Sequence, residues 1–408
     1  MSRFDRQGMR NSSNYMNPFW VREVADTQVS KKLSLKQLPR KLIAELSAGF
    51  VGREEEARVA VLALLTKQHA VFVGEPGTAK SALIHRLSRL VNCKYFYYLV
   101  SKYTVPDEVI GPIDPIQYKN GKFVRNTKGK LPDAEIAFLD EIFKGSSEFS
   151  NTILNIMNER IFVDTDGTVY RCPLHSLYGA SNELPADSEL AAFYDRFLLR
   201  HFVKRIDATK LETAIIHNLN TLKNVNVKPI CSLKEVNQIY DKITGYMIQN
   251  ANAIAKACSQ LVIVLRQHGI FVSDRTAVSP QHLPRLIATY SYVFDVNLKK
   301  AAIAVSKYVL PSEEAIENYK KALDALQPVE IREASEKLEK AKDYAVQGDL
   351  TSAKRLAAEA IQIAQSLFNK PEKVELFKEE IRDVINQAEN LVKEITSIEE
   401  KLKQFKKL

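Results

Sequence analysis

The stretch HAVFVGEPGTAKSALIHRLSRLV, residues 69–91, decides the fold of this chain. It begins with a short apolar run at 69–73, continues with the loop GEPGTAKS at 74–81, and ends in residues with helical apolar spacing. A strand, a glycine-containing loop and a helix in this order are the context of a phosphate-binding loop, because loop N–H groups and the positive end of the helix attract phosphate. The stretch therefore predicts a nucleotide site.

The predicted nucleotide contacts are the loop residues Gly74, Glu75, Pro76, Gly77, Thr78, Ala79, Lys80 and Ser81. Lys80 is expected to reach the outer phosphates, and the Ser81 hydroxyl to bind a magnesium ion. The strict pattern G-x-x-x-x-G-K-[ST] has glycine where this chain has Ala79. Because Ala79 lies immediately before the helix, we expect a right-handed backbone conformation there, which a residue with a Cβ adopts at little cost.

Two further apolar runs end in polar residues that favour hydrolysis. IAFL at 136–139 is followed by Asp140 and Glu141, at about the distance after the loop that nucleotide hydrolases use. Asp140 is predicted to hold magnesium through water, and Glu141 to polarise the water that attacks the γ-phosphate. SLYGA at 176–180 leads to Asn182, which we expect at the same sheet edge, within reach of that water. The expected ligands are therefore a nucleoside triphosphate and Mg²⁺.

The chain divides into segments of different pattern. Residues 1–38 are polar and show no periodicity, which predicts a poorly ordered arm. Residues 39–205 contain continuous apolar runs, typical of parallel strands covered by helices on both faces, so we expect an α/β core. Residues 206–310 are helical and predict a separate all-α subdomain. Residues 311–408 predict a helical extension.

The extension carries two patterns. Gly348 and Asp349 fit a tight turn between two amphipathic helices. In a last helix from about Pro371, apolar residues repeat four and three apart: Phe377, Ile381, Val384, Ala388, Leu391, Ile395, Ile398, Leu402 and Phe405. This coiled-coil seam favours a hairpin or small bundle within the chain, and a seam reserved for another protein is the alternative.

Composition narrows the class of protein without naming a partner. The net charge of +9 suits nucleic acid, but dispersed lysines and arginines give the same sum. The four cysteines lie far apart in the sequence, which predicts reduced packing residues and not metal ligands. The N-terminus lacks an apolar signal region, and no apolar run is long enough to span a bilayer, so we expect a cytoplasmic protein.

The segment YDRFLLR, residues 194–200, contains two arginines four positions apart. This spacing predicts that Arg196 and Arg200 share one helical face. Only in an oligomer would either guanidinium reach a neighbour's phosphate. A solvated basic stripe is the alternative interpretation.

Taken in order, GEPGTAKS, FLDEIFKGSS, ASNELP and YDRFLLR resemble the MoxR family of AAA+ ATPases, and most of all its RavA subfamily. The resemblance covers about residues 40–300. PDEVIGPID and KGKLPDAEIAFLDEI resemble the family's helix-2-insert region, and alanine is the family's usual residue at position 79. The resemblance implies a P-loop AAA+ core with a parallel five-stranded sheet, a helical lid, and a homo-oligomeric ring, expected to be a hexamer, with nucleotide between subunits.

The resemblance also implies these roles: Lys80 and Ser81 in Walker A, Asp140 and Glu141 in Walker B, Asn182 at sensor 1, and Arg196 as arginine finger. Arg200 is the second candidate for the finger. LRQHGIFVSDR resembles the segment that supplies the sensor 2 arginine, which makes Arg275 the first choice and Arg285 the alternative.

Two surface segments are candidates for contact with a client. NERIFVDTDGTVYRCP predicts a hairpin with its turn at 164–167, and residues 118–123 predict a loop near the insert. Either could face the pore of a ring. A plain surface hairpin is the alternative interpretation.

Three functions are compatible with the sequence. The first is a chaperone-like ATPase that remodels or matures protein clients, for which the resemblance implies a von Willebrand A domain protein as partner. The second is a nucleic-acid-dependent motor of the same clade, although the sequence shows no zinc finger, helix-turn-helix or RNA-binding motif. The third is a nucleotide-gated scaffold whose C-terminal helices recruit partners.

Overall fold

We describe a computed structural model of the chain, which covers residues 34–185, 188–221, 227–326, 329–367 and 371–405. The strands are β1 (Ala70–Gly74), β2 (Tyr95–Leu99), β3 (Ile136–Asp140), β4 (Ile161–Val163), β5 (Val169–Arg171), β6 (Ser176–Ser181) and β7 (Leu199–Val203). The predicted N-terminal arm up to residue 33 lies outside the described residues.

The helices up to the end of the α/β part are α1 (Leu38–Ser47), α2 (Glu54–Thr66), α3 (Lys80–Val91), α4 (Pro106–Ile110), α5 (Pro115–Lys119), α6 (Ser147–Glu159) and α7 (Ser188–Tyr194). The later helices are α8 (Leu211–Thr221), α9 (Leu233–Gln249), α10 (Ala251–Gln267), α11 (Asp274–Val278), α12 (Leu283–Phe294), α13 (Leu298–Val309), α14 (Glu313–Leu326), α15 (Val329–Gln347), α16 (Leu350–Leu367) and α17 (Pro371–Phe405). The described residues form two compact units, one of residues up to Ile263 with Phe271–Ser312, the other of Val264–Ile270 with the chain from Glu313 onward.

The centre of the first unit is a sheet of five parallel strands in the order β2-β3-β6-β1-β7. This confirms the predicted α/β class and the parallel five-stranded sheet. Since all five strands run the same way, they all end at one side of the sheet, which we call the carboxyl edge, and begin at the other, the amino edge. Every loop that follows a strand of this sheet therefore starts at the carboxyl edge.

The strands are largely apolar because helices cover both faces of the sheet. Phe72, Phe138 and Tyr178, on β1, β3 and β6, are fully buried. The one polar group among them, the Tyr178 hydroxyl, donates a hydrogen bond to the carbonyl of Ala60 in α2 at 2.8 Å. A buried hydroxyl left without a partner would cost stability, so this bond lets tyrosine occupy the core.

Strand β7 corrects the helical interpretation of YDRFLLR. Helix α7 ends at Tyr194, and Arg200 is the second residue of β7, paired with Val71 of β1. Arg196 and Arg200 therefore do not share a helical face. The four-residue spacing was misleading because an arginine inside a buried strand looks like a polar position of a helix. Hydrogen bonding to β1 in the sheet overrides that local pattern.

Helix α12 is the hub of the helical part of the first unit, where it packs against α2, α9 and α13. It is buried along most of its length, including Leu286, Ile287 and Ala288. Helix α13 is tied to α2 by the Tyr308 hydroxyl, which donates to the Glu55 carboxylate. These contacts fix the helical residues 271–312 to the α/β part of the same unit.

In the second unit α15, α16 and α17 pack through small residues. Buried alanines line the contact between α15 and α16: Ala334, Ala341, Ala357, Ala360 and Ala364. Small side chains let two helix backbones approach closely. The turn between these helices lies at Gly348, which has a φ of +86°, and at Asp349, as the sequence predicts.

The heptad seam of α17 faces its own chain over much of its described length. Ile381, Ala388 and Ile395 are buried, and Val384 and Leu391 pack against the alanine-rich core. This agrees with the bundle within the chain. Ile398 is exposed, and the side chains of Phe377, Leu402 and Phe405 lie outside the described residues.

The cysteines are buried and none forms a disulfide, as predicted: Cys93, Cys172, Cys231 and Cys258. Burial raises the pKa of the Cys172 and Cys258 thiols to about 11 and that of Cys231 to about 12, which keeps them protonated. Among the described residues, no helix combines the length and the apolar character that crossing a membrane would need.

Candidate functional site

The phosphate-binding loop leaves β1 at Gly74, where the chain passes very close to β7. A Cβ at position 74 would lie 2.3 Å from the carbonyl oxygen of Val203, and φ there is +155°. Gly77 also has a positive φ, +78°, at the turn of the loop. Glycine is required at 74 by contact with backbone, whereas at 77 it is favoured by conformation alone.

Ala79 differs from the sequence-based expectation of a right-handed conformation. Its φ and ψ are +64° and +20°, a left-handed conformation, at the position just before α3. The expectation was wrong because the loop must turn its N–H groups inward before the helix begins, and glycine is the residue that usually provides such a turn. For a residue with a Cβ this conformation costs about 1 kcal/mol. The chain therefore holds local strain at its predicted phosphate site, as functional sites often do.

Helix α3 begins at Lys80 and is anchored on the sheet by Leu83, Ile84 and Leu87, which are buried at helical spacing. The Lys80 ammonium donates to the carbonyls of Gly74 at 2.6 Å and Glu75 at 2.9 Å. Its pKa is lowered by burial, while the carboxylates of Asp140 and Glu141 act in the opposite direction. The cation is thus held at the mouth of the loop, beside both predicted acidic residues.

Asp140, Glu141 and Asn182 meet at the carboxyl edge, as the sequence predicts. Asp140 is the last residue of β3, and Asn182 follows the neighbouring strand β6. The Asn182 amide donates to Glu141 Oε1 at 2.6 Å, and Lys144 Nζ lies 3.2 Å from Glu141 Oε2. Glu141 has a φ of +53°, a second left-handed residue with a Cβ at this site. The backbone conformation of Glu141 and the contacts of its two carboxylate oxygens therefore orient this side chain.

The donor set at this edge fits a magnesium ion. Burial, with the neighbouring Glu141 carboxylate, raises the pKa of Asp140, while the Glu141 N–H, Lys80 and Lys144 act in the opposite direction, so that its ionised form is only partly compensated. A divalent cation would supply that compensation, and carboxylate and hydroxyl oxygens are the ligands magnesium prefers. Asp140 and Ser81 are the residues that would hold it. Bound Mg²⁺ would neutralise charge on the β- and γ-phosphates.

Sequence reasoning missed Arg53, which lies at the same edge. Its guanidinium donates to Glu56 Oε1 at 2.9 Å and to the carbonyl of Lys204 at 2.8 Å, and both side chains of the pair are buried. Lys204 directly follows β7, which places Arg53 at the carboxyl edge. The only signal in the sequence is a run of charged residues at the start of α2.

Arg196 lies at the amino edge, opposite the phosphate loop of its own chain. It precedes β7, and the first residue of β7, Leu199, pairs with Ala70 at the start of β1. The five residues of β1 separate that end from the loop by about 17 Å. Arg196 is half-buried, and its Nε is buried without a hydrogen-bond partner among the described residues.

Arg200, the second candidate for the finger, is committed to its own chain. Its guanidinium donates to the carbonyl of Val309 at 2.8 Å and to Asp195 at 3.3 Å, and it lies over the ring of Tyr194. The side chain is buried. Arg200 therefore joins β7 to α13, and its Nε, like that of Arg196, is buried without a hydrogen-bond partner among the described residues.

Arg275 is also at the amino edge. It donates to Asn158 at the end of α6, at 3.0 Å, and one of its terminal nitrogens, Nη1, is buried without a partner among the described residues. Ser273, two residues earlier, donates to the Asp195 carboxylate at 3.2 Å, which links α11 to the residue beside Arg196. The two predicted arginines thus lie on the same side of the unit.

Arg285, the alternative for sensor 2, is buried inside the helical part. Its guanidinium lies 4.0 Å from the centre of the Tyr240 ring and donates to the hydroxyl of Thr244. Both partners are on α9. Lys67, which lies shortly before β1, is 4.3 Å from the same ring, so Arg285 is held inside the helical part near the amino edge.

The two predicted client-contact segments are joined by one arginine. Strands β4 and β5 form the predicted hairpin, with its turn closed by Asp164 and Gly167. Arg125 donates to Asp164 of this hairpin at 2.7 Å and to Asp107 of α4 at 2.6 Å. Tyr118 and Phe123 beside it are exposed and stack edge to face. Sequence reasoning missed this link, because nothing local in the sequence marks Arg125.

The strand order and the loop define a P-loop nucleotide-binding protein of the AAA+ class. Residues 36–240, half of the chain, match a family model described as "MoxR domain in the MoxR-vWA-beta-propeller ternary systems". The chain belongs to the MoxR family of AAA+ ATPases. The narrower RavA assignment stays a prediction.

The chain is similar in sequence to proteins of other organisms. The chain is 40% identical over 236 residues to the uncharacterized protein MJ0079 of Methanocaldococcus jannaschii. The matched stretch is 58% of this chain and 60% of that protein. Chaperone MoxR1 of Mycobacterium tuberculosis is 26% identical over 163 residues, 39% of the chain and 42% of that protein. The chain thus spans less than two thirds of either relative.

A solved structure is similar in fold. It is described as a "putative ATPase" from Cytophaga hutchinsonii and has a TM-score of 0.56 with this chain at 18% identity. The match covers 72% of this chain and 95% of the other. At this identity the likeness shows the fold alone.

The left-handed conformation of Ala79 is testable by substitution. We expect Ala79→Gly to change the free energy of unfolding by less than about 0.5 kcal/mol, since release of strain offsets the added entropy of glycine. We expect Ala79→Val to lower it by more than about 1 kcal/mol, because β-branched residues tolerate left-handed conformations poorly. Urea unfolding measures both values. A loss of stability in the glycine variant with a neutral valine variant would indicate a right-handed residue instead.

Proposed function

We propose that this protein hydrolyses ATP at the junction between subunits of a homo-oligomeric ring and uses the cycle to remodel or mature protein clients. The observation that carries the proposal is the position of Arg196, at the opposite edge of the sheet from its own phosphate loop. A site completed by a neighbour's arginine requires head-to-tail contact between subunits. Repeated contacts of this kind form a closed ring when the rotation from each subunit to the next adds up to a full turn.

The phosphate loop binds the nucleotide. N–H groups of residues 74–81 and the start of α3 provide partial positive charge for the phosphates. Lys80, now bonded to loop carbonyls, exchanges these for phosphate oxygens, which are stronger acceptors. Ser81 and Asp140 would hold Mg²⁺, as their oxygen donors allow.

Glu141 is the residue we assign to activation of water. The bond from Asn182 fixes one of its oxygens, and the other faces Lys144. A carboxylate oriented in this way can accept a hydrogen bond from water and turn it toward the γ-phosphate. Asn182 acts as a positioning residue for Glu141.

Arg196 and Arg275 are assigned to the phosphate of the neighbouring subunit. Both lie at the amino edge, and both carry a buried nitrogen without a partner among the described residues. Arginine stabilises the charge that develops on the transferred phosphoryl group. Since α11 is bonded to Asp195, next to Arg196, a shift of the helical residues would move both guanidinium groups together.

The surface around the insert is the candidate contact with a protein client. Tyr103, Ile116, Tyr118 and Phe123 are all exposed there, and the hairpin adds exposed Val163 and Val169. Arg125 joins the two segments, so we expect them to move as one. A hexameric ring, a von Willebrand A domain partner and a cytoplasmic location also belong to this proposal, the partner because the matched family works in such systems.

A nucleic-acid-dependent motor is the second candidate. The same surface carries lysines beside aromatic rings, with Lys102 lying 4.9 Å from the Tyr103 ring centre and Lys119 and Lys122 flanking the exposed pair Tyr118 and Phe123. Aromatic and basic side chains together suit single-stranded nucleic acid. A scaffold that binds nucleotide without turnover is the third.

Turnover measurements distinguish these functions. We expect the wild type to hydrolyse ATP at a rate that DNA does not change, and Glu141→Gln to bind ATP with turnover reduced about a hundredfold or more, because the water is no longer activated. Glu148→Gln, at an exposed position in the first turn of α6, is the matched control and should behave as wild type. Turnover that rises with DNA would favour the motor, and binding without turnover in the wild type would favour the scaffold.

Mixing variants tests whether the finger acts between subunits. Arg196→Ala is expected to abolish turnover while leaving ATP binding unchanged, and Lys80→Ala to abolish binding. A mixture of the two should recover activity, because some junctions combine an intact loop with an intact finger. Steady-state ATPase assays over a range of mixing ratios measure this. Additive loss with no recovery at any ratio would contradict action across the junction.

A further inference from the structure

Helix α8 is amphipathic with its apolar face turned outward. Leu211, Ile215, Ile216 and Leu219 fall within one side of the helix and are each 50–59% exposed. Ala214 and His217, on the opposite side, are the residues that approach the rest of the chain, and both are half-buried. A surface helix normally buries its apolar stripe, so this inverted arrangement marks a contact surface.

Helix α8 is placed beside the nucleotide site. The chain leaves β7 at the carboxyl edge, where Arg205 pairs with Glu75 of the phosphate loop. Ile206 and Lys210 then lie within 3.4 and 3.7 Å of the Cβ position at Gly52, next to Arg53. Since α8 begins at the next residue, Leu211, its apolar face belongs to the same side of the unit as the loop.

A second apolar patch lies at the amino edge, beside the predicted trans-acting arginines. Phe271, which precedes α11, is 77% exposed and Val278, the last residue of α11, is 74% exposed, so the two lie on either side of Arg275 in the sequence. An exposed phenylalanine and valine on either side of an arginine with a buried, unpartnered nitrogen is an unusual surface for a free subunit. The two apolar patches therefore lie at opposite edges of one unit.

We propose that the outward face of α8 packs against the patch of Phe271 and Val278 on a second copy of this chain. This inference rests on the proposed function, because the amino edge of one subunit must approach the carboxyl edge of the next to bring Arg275 and Arg196 to the phosphates. Charge favours the same pairing once nucleotide is bound, since the carboxyl edge carries Lys80 and Arg53 as well as its carboxylates, and the phosphates of ATP would make it negative toward the arginines of the amino edge. Such a contact joins different patches of identical subunits and propagates head to tail.

The contact has a consequence for catalysis. The α8 face and Arg205 are attached to the segment that leaves β7 beside the loop, and the partner patch is attached to Arg275. Packing one against the other sets how far the arginine reaches toward the phosphate. Apolar packing of this kind supplies affinity, while the arginines supply the link to nucleotide.

The test uses the full chain with Mg²⁺ and a slowly hydrolysed ATP analogue, with mass followed by light scattering over a range of protein concentrations. Ile215→Glu, Leu219→Glu and Phe271→Glu are each expected to raise the concentration needed for assembly by about tenfold or more. The matched control is Ile248→Glu, because Ile248 is 75% exposed on α9, outside both patches. It should assemble as the wild type does. Analogue binding and circular dichroism should be unchanged in all four variants.

A photoreactive benzophenone side chain at position 216 gives a direct readout of the contact. It is expected to link two chains through the peptide that contains residues 271–278. If the wild type assembles and the α8 and Phe271 variants assemble equally well, or the link forms elsewhere, the proposed contact is wrong while the ring function stands. If the wild type binds nucleotide and stays monomeric, both are wrong. If assembly depends on α8 but no turnover occurs, the contact stands and the ATPase cycle does not.

Discussion

The parallel pairing of five strands is the constraint on which the rest of the structure depends. Because every strand of the sheet ends at the same edge, the sheet itself brings together the loop after β1, the carboxylates at the end of β3 and the Asn182 amide after β6. The bond from Asn182 to Glu141 depends directly on this adjacency of β3 and β6. Burial of the strands on both faces makes the edge rigid, so the site can hold strained residues such as Ala79 and Glu141.

The same constraint explains why one chain is expected to carry an incomplete site. A residue placed before a strand lies at the amino edge, and the length of β1 separates it from its own phosphate loop. Arg196 and Arg275 are both on that side and retain buried nitrogens without partners among the described residues. Leaving such groups unpaired costs stability, and a neighbour's phosphate would relieve the cost. In this account, ATP is both the substrate and part of the contact between subunits.

Much of the fold follows from the sequence, and the exceptions have physical causes. The runs at 69–73, 136–139 and 176–180 became strands, and Asp140, Glu141 and Asn182 met at one edge, because buried parallel strands have a strong apolar signature. β7 was missed because Arg200 interrupts its pattern, and that arginine is tolerated only through partners far away in sequence, such as Val309. The conformation of Ala79 and the links made by Arg53 and Arg125 depend on tertiary contacts, which no local pattern records.

The most direct test of the account is the structure of the Glu141→Gln protein assembled with ATP and Mg²⁺, determined by electron cryo-microscopy. The account predicts that the guanidinium of Arg196 lies within hydrogen-bonding distance of the γ-phosphate held by the loop of the adjacent subunit, with Arg275 on the same phosphates. An assembly in which Arg196 remains directed into its own chain, or in which nucleotide is bound away from any junction, would contradict the account.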